Sequence, residues 1–216
     1  MGEFFTSAPA LLLAVLGAYI LGALPMADQI SRRYGVDIFS TGSGLAGASN
    51  VRISIGWWPS TFVMMGDLGK GALTVLFAGL IGIEGPWFVV PAAAAIVGHW
   101  YSAFSGFRGG DGMATLGGIT IALFSVYGAI AVIVALLVST GGQKISYSSL
   151  VAVVLGYAAL VMATATYEVE VVPVLGVGGL TAMVLARAIL GHMRRSRAEG
   201  WGDEVGKLAE DGIIQS

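Results

Sequence analysis

The sequence predicts an all-α fold, a polytopic helical membrane protein of about seven transmembrane segments with one or two of them short or broken. Three observations predict it. Hydrophobic residues make up 56% of the 216 residues, charged residues only 11%, and the mean hydropathy is +0.84. A soluble domain carries about a quarter of its residues charged, so a water-exposed globule is excluded. Six apolar stretches, at about 9–27, 57–82, 86–104, 113–138, 147–164 and 171–190, each approach or exceed the roughly 20 residues that a 30 Å hydrocarbon core requires. The third observation is the placement of the cations, which asks for an odd number of segments.

Taken in order, the first stretch reads as a retained helix rather than a cleaved signal peptide. Residues 1–7 hold Glu3 and no cation, and the apolar run is longer than a signal-peptide core. Positive charge then marks one side of the membrane. Arg32, Arg33 and Arg52 lie in the 28–56 segment, Arg108 in 105–112, and Arg194, Arg195, Arg197 and Lys207 in the tail. Glu3, Glu84, Glu168 and Glu170 sit in segments without lysine or arginine. Six plain spans would put the arginine-rich tail and Lys144 on the glutamate side. Parity is restored if residues 113–138 cross twice, or dip in and out, around a break near Leu123 to Gly128. At 1.5 Å per residue those 26 residues reach about 39 Å, too little for two full spans, so at least one piece is a half-helix. The expected orientation is N-terminus outside and C-terminus cytoplasmic. The expected organisation is one membrane domain over 1–191 and a short polar cytoplasmic tail over 192–216. Most of the 33 glycines are expected at close helix contacts.

Charge and composition also exclude functions. A formal charge of −2 lacks the basic balance of a nucleic-acid binder. Zero cysteines exclude disulfides and thiolate metal sites, and His99 and His192 alone do not argue for a metal.

Three polar segments carry the chemistry, and the predicted topology puts them at one membrane face. The first runs from Thr41 to Arg52, where Gly42 and Gly44 let backbone approach a ligand while Ser43, Ser49, Asn50 and Arg52 offer donors and a cation. The plain alternative is a flexible loop. The second is Gly66 to Gly71, where Asp67 and Lys70 lie three apart on one helix face inside an apolar run. Ionisable residues at such depth usually mark a functional cavity, the alternative being an ion pair that locks two helices. The third runs from Gly98 to Thr115. It holds His99, an interfacial Trp100 and Tyr101, and a turn with Arg108, Gly109, Gly110 and Asp111 leading into a helix near Met113. Glycines ahead of a helix N-terminus make an anion site. His99 taken alone reads as a hydrogen-bonded interfacial histidine.

In order and spacing these segments resemble the PlsY family, the acyl-phosphate:glycerol-3-phosphate acyltransferases of bacterial phospholipid synthesis. The family pattern runs Gly-Ser-Gly-Asn-x-Gly-Ala-Thr-Asn-x-x-Arg, then Asp-x-x-Lys-Gly, Gly-His-x-x-Pro-x-Phe, and Phe-Lys-Gly-Gly-Lys-Gly-Val-Ala-Thr. This chain offers Gly42-Ser43-Gly44, Gly47-Ala48 and Asn50, then Asp67, Lys70-Gly71, Gly98-His99, and Phe107 to Thr115. Residues 18–25 and 35–38 look similar as well, and the likeness covers about residues 10–120. It implies a seven-helix inner-membrane enzyme with its site facing the cytoplasm. The reaction implied is transfer of an acyl chain from acyl-phosphate to glycerol 3-phosphate, giving lysophosphatidic acid, without coenzyme A, metal or other cofactor. Ser43, Asn50, Arg52, Lys70 and Arg108 would bind phosphate, and Gly42, Gly44, Asp67, Gly109, Gly110, Asp111 and Thr115 would belong to the same substrate site. His99 and Ser43 would be the catalytic pair, His99 orienting a substrate or acting as a weak acid or base.

The chain departs from the pattern at stated places. Leu45 stands where the family has asparagine and Ser49 where it has threonine, Arg52 comes one residue early, and Arg108 replaces a lysine. Asp111 reverses a cation, and the C-terminal His-Arg-Glu-Asn-Ile pattern is absent from Leu185 to Arg195. Two rival readings follow: a re-purposed paralogue that binds a lipid or acyl-phosphate headgroup without transfer, and a small transporter. Few polar residues occur in 147–164 or 171–190, which argues against transport.

Overall fold

The structure, a computed structural model, describes residues 7–141, 148–167 and 170–210, with side chains described as far as residue 190. Glu3, Lys144 and Glu168, and the side chains of His192, Arg194, Arg195, Arg197 and Lys207, lie outside the described residues. The described chain is helical: α1 (Ala8–Ala23), α2 (Met26–Arg33), α3 (Ala48–Ser54), α4 (Trp57–Leu80), α5 (Val89–Trp100), α6 (Met113–Phe124), α7 (Val126–Gly141), α8 (Ser148–Thr166) and α9 (Val171–Glu210). Five helical stretches, 8–33, 57–80, 85–105, 148–166 and 171–190, are long and apolar enough to cross a membrane. Helices α6 and α7 are apolar but shorter, about 18 and 24 Å by rise per residue against a 30 Å core. Five long and two short segments make the seven that the charge parity asks for.

The expected break in 113–138 falls at Ser125, whose φ of 49° turns the chain between α6 and α7. The first span differs from its sequence reading. Pro25 holds the preceding Leu24 in an extended conformation, so α1 stops at Ala23 and α2 starts separately at Met26. Helix α9 runs on to Glu210, so the backbone of residues 192–210, expected only as a polar tail, is helical.

Small residues set how the helices meet. Helix α1 packs on α5, α4 on α6, and α7 on α8. A Cβ added at Gly22 would collide with the Ala95 backbone, one at Gly98 with the Tyr19 carbonyl, and one at Gly156 with the Ala131 carbonyl. Gly71 lies against the Thr115 carbonyl and Gly118 against the Leu68 carbonyl, which brings α4 and α6 backbone to backbone. An apolar core around Ile96, Trp100, Leu116, Ile119, Leu160, Val177 and Val184 fills the space among α5, α6, α8 and α9. Outward faces such as Leu12, Leu16 and Ile20 remain exposed for lipid.

Candidate functional site

Asn50 builds the first glycine-rich segment. It is buried, and its amide nitrogen donates to the carbonyls of Ile38 at 2.9 Å, Thr41 at 3.0 Å and Leu45 at 3.0 Å. An amide has two N–H bonds, so one of them is shared between two acceptors. Ser54 donates to the Asn50 Oδ1 at 3.3 Å, and a side chain at Gly42 would strike that oxygen. Gly42 and Gly44 both have positive φ, a conformation glycine adopts without strain. The fold therefore spends the polar groups of Asn50 on the loop itself, which leaves Ser43 exposed at its crest. Arg52, on α3, lays its guanidinium 4.4 Å over the Trp57 ring and lines neither cavity described below.

Beneath this loop lies the ionic pair. On α4, Lys70 Nζ sits 2.9 Å from Asp67 Oδ1, each side chain 3% exposed. The three-residue spacing on one helix face makes the pair, and Lys70 also donates to the Leu24 carbonyl at 3.1 Å. That carbonyl follows the last residue of α1 and also accepts the Met26 N–H at 3.0 Å. His99 Nδ1, at the end of α5, faces the same Asp67 oxygen at 3.7 Å.

The glycine-rich turn closes over His99. Gly110 N–H donates to the His99 carbonyl at 3.2 Å, and Ala46 N–H to the Gly109 carbonyl at 3.2 Å, so turn and first loop are stitched together. Added Cβ atoms would meet the His99 carbonyl at Gly109, and His99 Nε2 and the Ala46 carbonyl at Gly110. Only glycine allows this approach. The Trp100 indole N–H donates to the Asp111 carbonyl at 2.7 Å, and Asp111 Oδ1 accepts the Met113 N–H at 3.1 Å, at the start of α6. Arg108 is exposed, its guanidinium 4.2 Å over Phe39. Thr115 is fully buried at the α4 contact and lines neither cavity.

Some residues that hold the site give no sequence signal. Ser102 donates to the Ala23 carbonyl at 2.6 Å, and Ser105 donates to Asp28 Oδ2 at 2.8 Å, while Arg32 holds the other Asp28 oxygen at 2.7 Å. These bonds tie the end of α5 to α1 and α2. Arg187 of α9 packs its guanidinium on Trp100 at 4.8 Å and Tyr101 at 4.6 Å. Single serines and one arginine in an apolar helix form no pattern a reader of the chain could single out.

Two spaces result. A cavity of about 180 Å³ has Ser43, Asn50, Asp67, His99 and Asp111 at its polar end, with apolar walls from α6, α7 and α8. A small recess of about 10 Å³, room for roughly one water, has Lys70, Arg108, Gly109 and Gly110 in a lining that also includes Leu24, Pro25 and Met26. Asp67 and His99 wall both. One end rich in charged and donor groups thus meets one apolar trough.

The family described as glycerol-3-phosphate acyltransferase matches residues 12–197 of this chain. The glycerol-3-phosphate acyltransferase of Geobacter sulfurreducens is 35% identical over 189 residues, 87% of this chain and 92% of that protein. Glycerol-3-phosphate acyltransferase 1 of Deinococcus radiodurans is 43% identical over 117 residues, where the match spans 54% of this chain and 59% of that one. The fold is similar to the crystal structure of PlsY, an integral membrane glycerol 3-phosphate acyltransferase, in its glycerol 3-phosphate form. That likeness has a TM-score of 0.72 at 26% identity and covers 87% of this chain and 92% of that one. The lysophosphatidic acid form matches with a TM-score of 0.68 at 25% identity, over 89% and 92%. With the three glycine-rich and charged segments gathered at one cavity and the match running almost the length of the chain, this protein belongs to the glycerol-3-phosphate acyltransferase family of integral membrane proteins.

Proposed function

We propose that this multi-pass membrane protein transfers an acyl chain from acyl-phosphate to the 1-hydroxyl of glycerol 3-phosphate, releasing lysophosphatidic acid and phosphate. The observation that carries the reading is the shared wall: Asp67 and His99 border both a recess holding Lys70 and Arg108 and a trough lined by apolar helices. The recess is too small for either substrate; its cations border the end of the larger cavity where the phosphate groups would sit, and the apolar trough suits the acyl chain. In the reaction the acceptor oxygen attacks the acyl carbonyl carbon, the bond from that carbon to the phosphate oxygen breaks, and the hydroxyl proton leaves with the phosphate. An acyl-phosphate is already activated, so positioning and electrostatic stabilisation supply most of the catalysis. Ser43 and Arg108 bind phosphate at the mouth. Lys70 lends positive charge from below, and His99 orients a substrate by hydrogen bonding.

Purified protein given acyl-phosphate and labelled glycerol 3-phosphate should form labelled lysophosphatidic acid. Ser43→Ala and Arg108→Ala should each raise the KM for the phosphate-bearing substrate ten- to a hundredfold, the worth of a lost charge-assisted hydrogen bond of about 1.5–3 kcal/mol. Unchanged KM in both, with the fold intact, removes them from the site. Asp111 at the cavity rim favours a second reading, a paralogue that binds a headgroup without transferring to glycerol 3-phosphate. Substrate-induced thermal stabilisation without turnover would select it.

We also propose a bacterial inner membrane location, with the N-terminus outside and both the C-terminus and the site cytoplasmic, as the arginine-bearing segments suggest. The chain has no cysteine, so Glu3→Cys and Ile214→Cys can be labelled without background. An impermeant thiol reagent should reach them from opposite sides; labelling from one side refutes the odd segment count.

A further inference from the structure

We propose that an apolar pocket beneath the cavity measures the acyl chain of the donor, with Gly117 as its throat and Tyr157 as its floor, an inference that rests on the acyl-phosphate reading above. The pocket, of about 60 Å³, lies among α6, α7, α8 and α9. It shares Met113, Gly117, Val132, Ala135 and Val153 with the larger cavity, so the two spaces adjoin and together make the trough of the proposal. Along α8 the lining runs from Ser149 to Leu160, about 16 Å by rise per residue. That is about half of a 30 Å hydrocarbon core, the depth of one leaflet. A donor whose phosphate sits at the Ser43 end of the larger cavity therefore lays its chain down this trough at the depth the chain would occupy in its own leaflet.

Gly117 stands apart from the packing glycines. At Gly118 a Cβ would strike the Leu68 carbonyl, and at Gly71 the Thr115 carbonyl, so helix contact accounts for both. At Gly117 the nearest atoms are side-chain tips, Leu68 Cδ2 at 3.1 Å and Val132 Cγ2 at 3.4 Å. No backbone needs that position to be glycine, and glycine is a poor helix former. A methyl there would press on those two tips and narrow the lining where the two spaces adjoin. At the far end the Tyr157 hydroxyl donates to the Val174 carbonyl at 3.1 Å and sits against Gly178, so the ring is a fixed stop. Leu160 and Thr181 close the space beside it.

The test uses the intact protein in detergent with a graded series of saturated acyl-phosphates and, as a second readout, thermal stabilisation by lysophosphatidic acids of the same lengths. A methylene gained or lost in an apolar pocket discriminates by about tenfold or more. Gly117→Ala should shift relative kcat/KM toward shorter donors by about tenfold. Tyr157→Leu should shift it toward longer ones by a similar factor, and Leu160→Ala serves at the same floor if Tyr157→Leu does not fold. Opposite shifts in both readouts support the ruler. No shift, or shifts in the same direction from narrowing and deepening variants, overturns it. If the wild type shows no turnover but the stabilisation order still moves oppositely in the variants, the ruler stands and the reaction reading falls. If the wild type turns over every length alike, as do the variants, the reaction stands and the ruler falls.

Discussion

Asp67→Ala should destabilise the protein by about 3–5 kcal/mol, the loss expected when one member of a buried ion pair is removed and the other charge stays behind. Lys70 is 3% exposed at its side chain, and its remaining partner would be the Leu24 carbonyl. A carbonyl dipole does not replace a carboxylate for a buried ammonium. His99 would lose the oxygen its Nδ1 faces, so the turn stacked on His99 should loosen as well. In detergent the unfolding midpoint should fall by about 10 °C or more. The double variant Asp67→Ala/Lys70→Met removes both charges and should recover most of that loss, since an apolar pair of similar volume often replaces a buried ion pair without penalty. Its acyl transfer should stay low, because Lys70 also supplies positive charge to the phosphate end of the cavity. A double variant that is both stable and active would reduce the pair to a helix lock. A single variant as stable as wild type would show that the ammonium reaches water.

The spans were legible because hydropathy over some 20 residues averages out local detail, and lipid imposes that average on every spanning helix. The break at Ser125 was legible from the charge bookkeeping, which needed an extra crossing in a stretch too short for two full spans. Helices α2 and α3 escaped notice, since eight and seven residues at the membrane face are too short to register against the polar background. The residue types of the site were legible, and part of their use was not. Asn50 reads as a free donor, yet its amide is consumed by three carbonyls of its own loop. Arg52 reads as a phosphate cation, yet it lies on Trp57. Spacing tells that Asp67 and Lys70 share a face; it cannot tell which carbonyl 46 residues away the lysine will reach. The supports from Asp28, Ser102 and Ser105 depend on tertiary contacts some 77–79 residues apart in sequence. Arg187 depends on a helix crossing of the same kind.

Asp111→Lys should raise glycerol 3-phosphate-dependent turnover, chiefly by lowering the KM for that substrate. The Asp111 side chain lies at the rim of the cavity, with its Oδ1 on the Met113 N–H at the start of α6. A helix N-terminus fronted by glycines favours an anion, and here the chain's own carboxylate takes the place a phosphate would use. A phosphate brought to about 4 Å from that carboxylate would be disfavoured by roughly 4 kcal/mol at an effective dielectric constant of 20, nearly a thousandfold in affinity. The donated N–H and the nearby cations offset part of this, so the observable gain should be smaller, about tenfold or more. Lysine reverses the sign and leaves the backbone bond from Trp100 to the Asp111 carbonyl position available. Its cost is the loss of a side-chain acceptor at the helix start, about 1 kcal/mol of stability. Asp111→Asn keeps an acceptor and removes the charge, so it should give part of the gain with little of that cost. Titrating glycerol 3-phosphate against all three proteins at fixed acyl-phosphate decides the matter. If Asp111→Lys and Asp111→Asn both lower turnover while the fold is intact, the carboxylate is accepting hydroxyl groups of the acceptor, and the acceptor is a polyol that a lysine there would turn away.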